Sequence, residues 1–300
     1  MSIITHIYSG LGNQLFQYAA ARSIALKCGT TLKLDTSDYA TDPLTSFDLN
    51  KFCIQASIAS PDETIFYKQQ PKGLLQQLKF LQWRLQRPVL IKEQAFHFKN
   101  ELATATKNTY ITGHWQSEKY FLDIRPYLLT ELEAKEKDTR RDLIQKTKAT
   151  NSVAIVIRRG DFLKYDHLNL YGDNLSYYYQ AIEKLKLQIS DPHFFIFSDD
   201  IDWVKAHLVV SEPVTYVSRQ YPSKNGYVVN PERHLDLMLM KACKHQIICN
   251  STYAWWGAWL NSYEHKIVIA PRHWSKPGHK WTNGKVIKQD DLLPETWIQL

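Results

Sequence analysis

Two arginines, a glycine and an aspartate stand together at Arg158-Arg159-Gly160-Asp161, directly after the apolar run 153–157. Paired guanidiniums are well shaped to grip a phosphate through parallel N–H bonds, so this stretch predicts an anion site. The competing reading is a solvated basic turn closed by an aspartate ion pair. Two more polar clusters follow apolar runs, Ser198-Asp199-Asp200 and Asn250-Ser251-Thr252. A carboxylate suits the adjacent N–H donors on the edge of guanine, and Ser251 and Thr252, opening a helix, suit phosphate oxygens. Helix capping is the other use for Asp199-Asp200, and one carboxylate can cap while the other binds. A metal site is less attractive there, because the arginines already neutralise phosphate; neither metal nor cofactor is expected.

The elements that must position these clusters follow from periodicity. Residues 153–157 are apolar without alternation, as in a strand buried on both faces of a parallel sheet. Further strands are expected at 194–197, 214–217, 247–249 and 267–270, with helices at 177–187, 201–208 and 234–243 between them. That rhythm predicts a doubly wound α/β unit, and parallel strands end on one edge, so all three clusters face one crevice. Trp255, Trp256 and Trp259 have helical spacing and are assigned to the core.

The first half opens with a strand at 3–7, the glycine turn Ser9-Gly10-Leu11-Gly12-Asn13-Gln14 and an Ala-rich helix at 15–28. Gly10 and Gly12 allow close backbone approach to a ligand, and the helix start offers free N–H groups to an anion. The full dinucleotide fingerprint is missing, since Phe16 begins a bulky stretch. A second strand at 31–34 ends at Asp35, and 41–72 reads as irregular, broken by Pro43, Pro61 and Pro71, without chemistry. Residues 73–87 form an amphipathic helix with Leu74, Leu78, Leu81 and Leu85 on one seam and Lys79, Arg84, Arg87, Phe80 and Trp83 around the rest. The favoured reading is a packing helix with solvated basic residues; the alternative is peripheral contact with an anionic membrane. A strand at 110–112 leads to Ser117 as an N-cap, and the charged segment 130–150 reads as an exposed helix and linker. The expected domains are therefore 1–150 and 151–300.

Composition excludes several classes. At 300 residues and 44% hydrophobic, the chain builds a large globular core. No apolar run reaches membrane-spanning length and the first residues lack a basic, cleavable leader, so a cytoplasmic location is expected. Cys28, Cys53, Cys243 and Cys249 show no metal spacing and read as reduced, mostly buried thiols. The net charge of +7 divides as +5 in the first half and +2 in the second, without a basic run, which ranks nucleic acid last among anionic partners.

Five blocks then acquire a joint meaning: Gly10-x-Gly12-Asn13-Gln14-x-Phe16-Gln17-Tyr18-Ala19; Gln116-Ser117-Glu118-Lys119-Tyr120-Phe121; Ile157-Arg158-Arg159-Gly160-Asp161; Phe197-Ser198-Asp199-Asp200; and residues 250–260 from Asn250 to Leu260. Together and in this order they resemble the bacterial α-1,2-fucosyltransferases of glycosyltransferase family 11. The resemblance implies a GT-B-like pair of Rossmann-type domains facing a cleft, the first on the acceptor side and the second holding GDP-fucose. It implies inverting transfer of L-fucose to the 2-hydroxyl of a terminal galactose on a glycan, without metal. It gives Arg158 the leaving diphosphate and Asp200 the guanine, and it brings Asn13 to the diphosphate from the first domain. A fucosyltransferase of another linkage and a non-enzymatic anion- or nucleic-acid-binding protein are the rival readings.

Single displacement needs a general base, and Asp161, Asp166 and His167 follow the arginines closely. Asp166 is chosen, because the arginines would hold Asp161 as an ion pair. The resemblance also marks a departure: the family commonly has histidine where Val156 stands. If that side chain faces the crevice, Val156→His lowers KM for GDP-fucose; if it packs in the core, the imidazole destabilises.

Overall fold

The computed structural model describes residues 1–300 apart from 43–44, 166, 173, 219–222, 225–226, 229 and 281–289. The chain divides into two compact units, Met1–Leu132 with Lys288–Leu292, and Glu133–Ile287 with Leu293–Leu300.

In the first unit, strands β1 (Ser2–His6), β2 (Thr31–Asp35), β3 (Ser57–Ile58), β4 (Val89–Lys92) and β5 (Thr109–Thr112) form a parallel sheet in the order β3-β2-β1-β5-β4. Helix α1 (Leu11–Lys27) follows β1 and buries Leu15, Phe16, Tyr18, Ala19 and Ala20 completely. It starts four residues before the expected position. Gly10 is its N-cap in an extended conformation (φ −73°, ψ 167°), so Gly12, Asn13 and Gln14 belong to the helix's first turn. Residues 41–72 are not wholly irregular, because Pro61–Lys68 forms helix α2. Pro61 sits at the helix start, where a missing N–H costs nothing, and the Ser60 amide donates to Glu63 Oε2 at 3.0 Å. Helix α3 (Leu74–Leu85) forms as the spacing predicts, and α4 (Arg125–Glu131) closes the unit's helices.

In the second unit, helix α5 (Arg141–Ala149) precedes strand β6 (Asn151–Ile157). The division falls at Leu132 rather than near Asn151, since α5 packs on β6 and on helix α8 (Arg233–Ala242) within this unit. Arg140, 15% exposed, bridges Asp138 and Asp236, each at 2.6 Å, so the charged segment is anchored by ion pairs and is not a free linker. The sheet continues through β7 (Pro192–Ser198), β8 (Val214–Tyr216), β11 (His245–Ile247), β12 (Val268–Ala270) and β13 (Ile298–Gln299), all parallel, in the order β13-β12-β11-β6-β7-β8. Strands β9 (Ser223–Lys224) and β10 (Tyr227–Val228) pair separately and antiparallel. Helices α6 (Ser176–Lys186), α7 (Ile201–His207) and α9 (Thr252–Leu260) complete the unit.

This strand order is the doubly wound Rossmann order, with its reversal between β6 and β11. Ile155 of β6, Phe195 of β7 and Trp255 of α9 are fully buried in this unit's core. Both units are thus parallel α/β sheets of Rossmann type, the GT-B-like complement of domains.

Candidate active site

Open α/β sheets bind ligands outside the carboxyl ends of the strands where the order reverses. In the second unit that point is flanked by Arg158–Asp161 after β6 and by Asn250–Thr252 after β11, and Ser198–Asp200 follow β7, the other neighbour of β6. The three sequence clusters therefore share one edge.

The arginines are not equivalent there. Arg158 is about a third exposed; its Nη2 pairs with Asp161 and its Nε lies 3.1 Å from Asp199 Oδ2. Its guanidinium also sits 5.2 Å from the Phe162 ring centre. Burial works against its charge, but Asp199 and Asp161 outweigh this and hold it more firmly protonated than a free arginine. Arg159 is buried: Nε donates to Asp200 Oδ2 at 3.0 Å, Nη1 to the Gly172 carbonyl, and its guanidinium stacks 3.5 Å from the Trp203 ring centre. Arg158 faces solvent, and Arg159 braces the loop against α7.

Asp199 is the hub. Its Oδ1 accepts the Arg159 backbone N–H at 2.8 Å while Oδ2 faces Arg158. Gly160 makes room for it, because a Cβ there would sit 2.8 Å from Asp199 Oδ2. Asp200 is the N-cap residue of α7 but makes no side-chain capping bond, and its amide donates to Ser198 Oγ at 3.0 Å. Neither carboxylate caps the helix; both serve the arginines.

Asn250 is buried, and its Nδ2 donates to the carbonyls of Leu168 (3.0 Å) and Trp274 (2.9 Å), fixing two loops together. Ser251 is the N-cap of α9, and Thr252 begins the helix half-buried. The backbone N–H groups of that first turn carry the helix's positive end to the same edge. Asp161 is held by Arg158, as the sequence predicts. His167 stacks on His279 with ring centres 4.0 Å apart. Asp166 lies outside the described residues.

Val156 is 4% exposed, pairs in register with Phe197, and its carbonyl accepts from Tyr178 at 3.3 Å. It belongs to the core, not to the crevice, since β6 is buried on both faces to its last residue. Val156→His is accordingly expected to cost about 1–3 kcal/mol of stability, because the imidazole enters an apolar site without a partner. A lower melting temperature with unchanged KM for the donor is the expected pair of readings; a lower donor KM at unchanged stability would contradict it.

The first unit has its own edge at the β1–β5 reversal. Asn13 is clamped there: its Nδ2 donates to Ser9 Oγ at 2.9 Å and its Oδ1 accepts from Gln116 at 2.8 Å. Gln14 and Gln17 are wholly buried. Gln14 ties Ser9, Ser46 and Asp48 together, and Gln17 accepts the Tyr8 amide. Tyr18 donates to Glu131, which also pairs with Arg22 at 2.7 Å. The first sequence block is therefore largely scaffold, with Asn13 as its presented group.

Glu93, His6 and His114 on this edge were not singled out by sequence. Glu93 accepts the backbone N–H groups of His114 (2.6 Å) and Trp115 (3.0 Å), and a Cβ on Gly113 would sit 2.4 Å from its own Cβ. The glycine at position 113 was the available signal. Burial pushes the Glu93 carboxyl up to about 7 against the pull of those two amides, and burial pushes His114 down to about 4. A raised carboxyl stabilises the fold below its ordinary value of 4.5, and this contribution is lost as pH rises through about 7. His114 acts oppositely, losing stability as pH falls from 6.5 towards 4. The stability of the wild type relative to Glu93→Gln should therefore fall between pH 5 and pH 8 in urea unfolding. A flat difference would remove the perturbed carboxyl.

Rossmann-type sheets with a partly exposed arginine and a helix start at the reversal define the α/β class built to hold phosphate-bearing ligands. The chain belongs to glycosyl transferase family 11, whose sequence profile matches residues 68–299. It is similar to an α-1,2-colitosyltransferase of Escherichia coli, 30% identical over 99% of this chain and 98% of that one. The O-antigen biosynthesis glycosyltransferase WbnK of Escherichia coli is 28% identical over 97% and 98%. Among solved structures, the fucosyltransferase NodZ from Bradyrhizobium is 15% identical, covering 85% of this chain and 91% of that one with a TM-score of 0.44.

Proposed function

We propose that this glycosyltransferase moves L-fucose from GDP-fucose to the 2-hydroxyl of a terminal galactose on a glycan, with inversion and without metal or cofactor. The observation that carries this reading is Arg158: a partly exposed guanidinium, kept charged by Asp161 and Asp199, at the reversal of a Rossmann sheet. As the acceptor oxygen bonds to the anomeric carbon, the bond from that carbon to the diphosphate breaks and the electron pair leaves with GDP. Arg158 neutralises the charge that develops there. Asp166 is assigned the hydroxyl proton, since Asp161 is tied to Arg158. Asp200 is assigned the guanine edge, and Ser251 and Thr252 the phosphate oxygens. Gly12 and Asn13 are assigned to the diphosphate as well. Arg159, Ser198 and Asn250 serve this donor site from behind, as supports for the loops that present it.

A second reading is colitosyl transfer, favoured by the relative that shares 30% identity. The two sugars differ in the 3-hydroxyl, so the two donors compared directly decide between them. Incubation of the protein with GDP-fucose or GDP-colitose and a panel of galactosides, with and without EDTA, followed by linkage analysis of the product, tests the whole reading. The expected result is a 2-linked fucosyl product that survives EDTA. Loss in EDTA with rescue by manganese would turn Asp199 and Asp200 into metal ligands. No transfer from either donor, with salt-dependent binding of polynucleotide, would favour the non-enzymatic alternative.

A further inference from the structure

Helix α3 contradicts its favoured reading from sequence. The leucine seam is not the packing face: Leu74, Leu78, Leu81 and Leu85 are 74%, 53%, 57% and 82% exposed, and Leu75 beside them is 78% exposed. The helix holds to its unit by the opposite side, where Trp83 and Phe80 meet Phe66 and Tyr67 of α2 at ring distances of 5.0–5.7 Å. At roughly 100° per residue the leucines form one stripe, Trp83 and Phe80 lie across the axis, Arg84 stands on one flank, and Lys79 lies further round on the other side, next to Trp83. No residue of α3 is buried. A continuous apolar stripe of this kind is far from an isolated exposed leucine.

The charge pattern names the occupant. Between Glu63 and Glu93 there is no acidic residue and there are six basic ones. Lys68 is neutralised by Asp35 at 2.7 Å. Lys72, Lys79, Arg84, Arg87 and Lys92 are exposed and meet no carboxylate among the described residues. An apolar stripe whose charged neighbours along the chain are all cations complements an apolar layer covered by anions. A second copy of the same face would set cation against cation.

We propose that α3 is an interfacial helix that seats its leucine stripe at the headgroup–acyl boundary of an anionic phospholipid bilayer, with Lys79, Arg84 and their neighbours on the phosphates. It does so without crossing the membrane; no described helix is long and apolar enough for that. Because the stripe is already outside the core, its replacement leaves the fold intact.

The test is sedimentation of the full chain with mixed phosphatidylcholine–phosphatidylglycerol vesicles and with pure phosphatidylcholine vesicles, at low and high salt. Wild type is expected to partition onto the anionic vesicles at least about tenfold more strongly than onto the neutral ones, and high salt should weaken it. Leu78→Gln/Leu81→Gln and Lys79→Glu/Arg84→Glu should each reduce partitioning about tenfold or more, with unchanged melting temperature. The proposal is overturned if wild type stays in solution with anionic vesicles, or if neither pair of substitutions changes binding. It is equally overturned if the wild type is a dimer by analytical ultracentrifugation that the leucine pair converts to monomer, for then a second copy covers the stripe.

Discussion

Arg158→Lys should lower turnover by about 10²–10³-fold, and Arg158→Ala by at least as much, the range found when one preorganised donor to developing charge is removed. The substitution keeps the positive charge, so a merely electrostatic role would survive it. What it loses is shape. Asp199 stands at Nε and Asp161 at Nη2, so two carboxylates at separate nitrogens set the plane of a group that can offer paired N–H donors. An ammonium on a longer flexible stem has no fork, and either carboxylate can draw it inward. Steady-state kinetics and GDP calorimetry separate the effects: kcat is expected to collapse while GDP affinity falls less, because the charge to be stabilised is largest in the transition state. Turnover within about twofold of wild type would remove Arg158 from the reaction.

Gly160→Ala is expected to damage stability and turnover together. The added methyl would sit 2.8 Å from Asp199 Oδ2 and 3.2 Å from its Cγ, in a place where the carboxylate is held by the Arg159 amide and by Arg158. Neither neighbour gives way cheaply, since the Asp199 side chain is only 9% exposed and its carboxylate is engaged on both oxygens. Overpacking of this kind costs about 1–3 kcal/mol, and here it also displaces the group that aims Arg158. The expected result is a lower melting temperature together with a loss of kcat of at least about tenfold. A double-mutant cycle isolates the cause: in an Asp199→Ala background the clash is gone, so Gly160→Ala should add little further loss. Additive losses would show that the glycine is needed for another reason.

The parts of this site that were legible in sequence are those that strand order alone dictates. Apolar runs without alternation gave β6, β7 and β11, and parallel strands bring their following residues to one edge, so the three polar clusters could be placed together without side-chain detail. Which member of a cluster faces outward was not legible. Arg158 and Arg159 are adjacent and identical in type, yet one is buried under Trp203; adjacent residues at a strand end diverge, and only tertiary packing says where each goes. Asp199 was read as a cap or a ligand-binding carboxylate and not as the hub, and Glu93 was overlooked, because each accepts backbone N–H groups, which no sequence pattern displays. Their trace was the glycine packed against each, Gly160 and Gly113. For α3, periodicity found the stripe correctly but gave it the wrong neighbour, since amphipathicity defines two faces and does not say which one the protein keeps for itself.

The strand order also sets a timetable for folding. In the first unit, β1 finds its partner β2 across a single helix and β5 by Thr109, so that whole sheet has been synthesised before β6 emerges. In the second unit, β6 pairs early with β7, but its other edge is open until His245 reaches Val153, about ninety residues later, a long-range closure of the slow kind. During that interval the chain carries an unpaired, wholly apolar strand edge, Val153 to Ile157, directly before Arg158 and Arg159. An open apolar strand edge of this kind is prone to mispairing on the ribosome, which makes slowed synthesis or a chaperone that shields β6 the natural remedy where yield of folded protein is low.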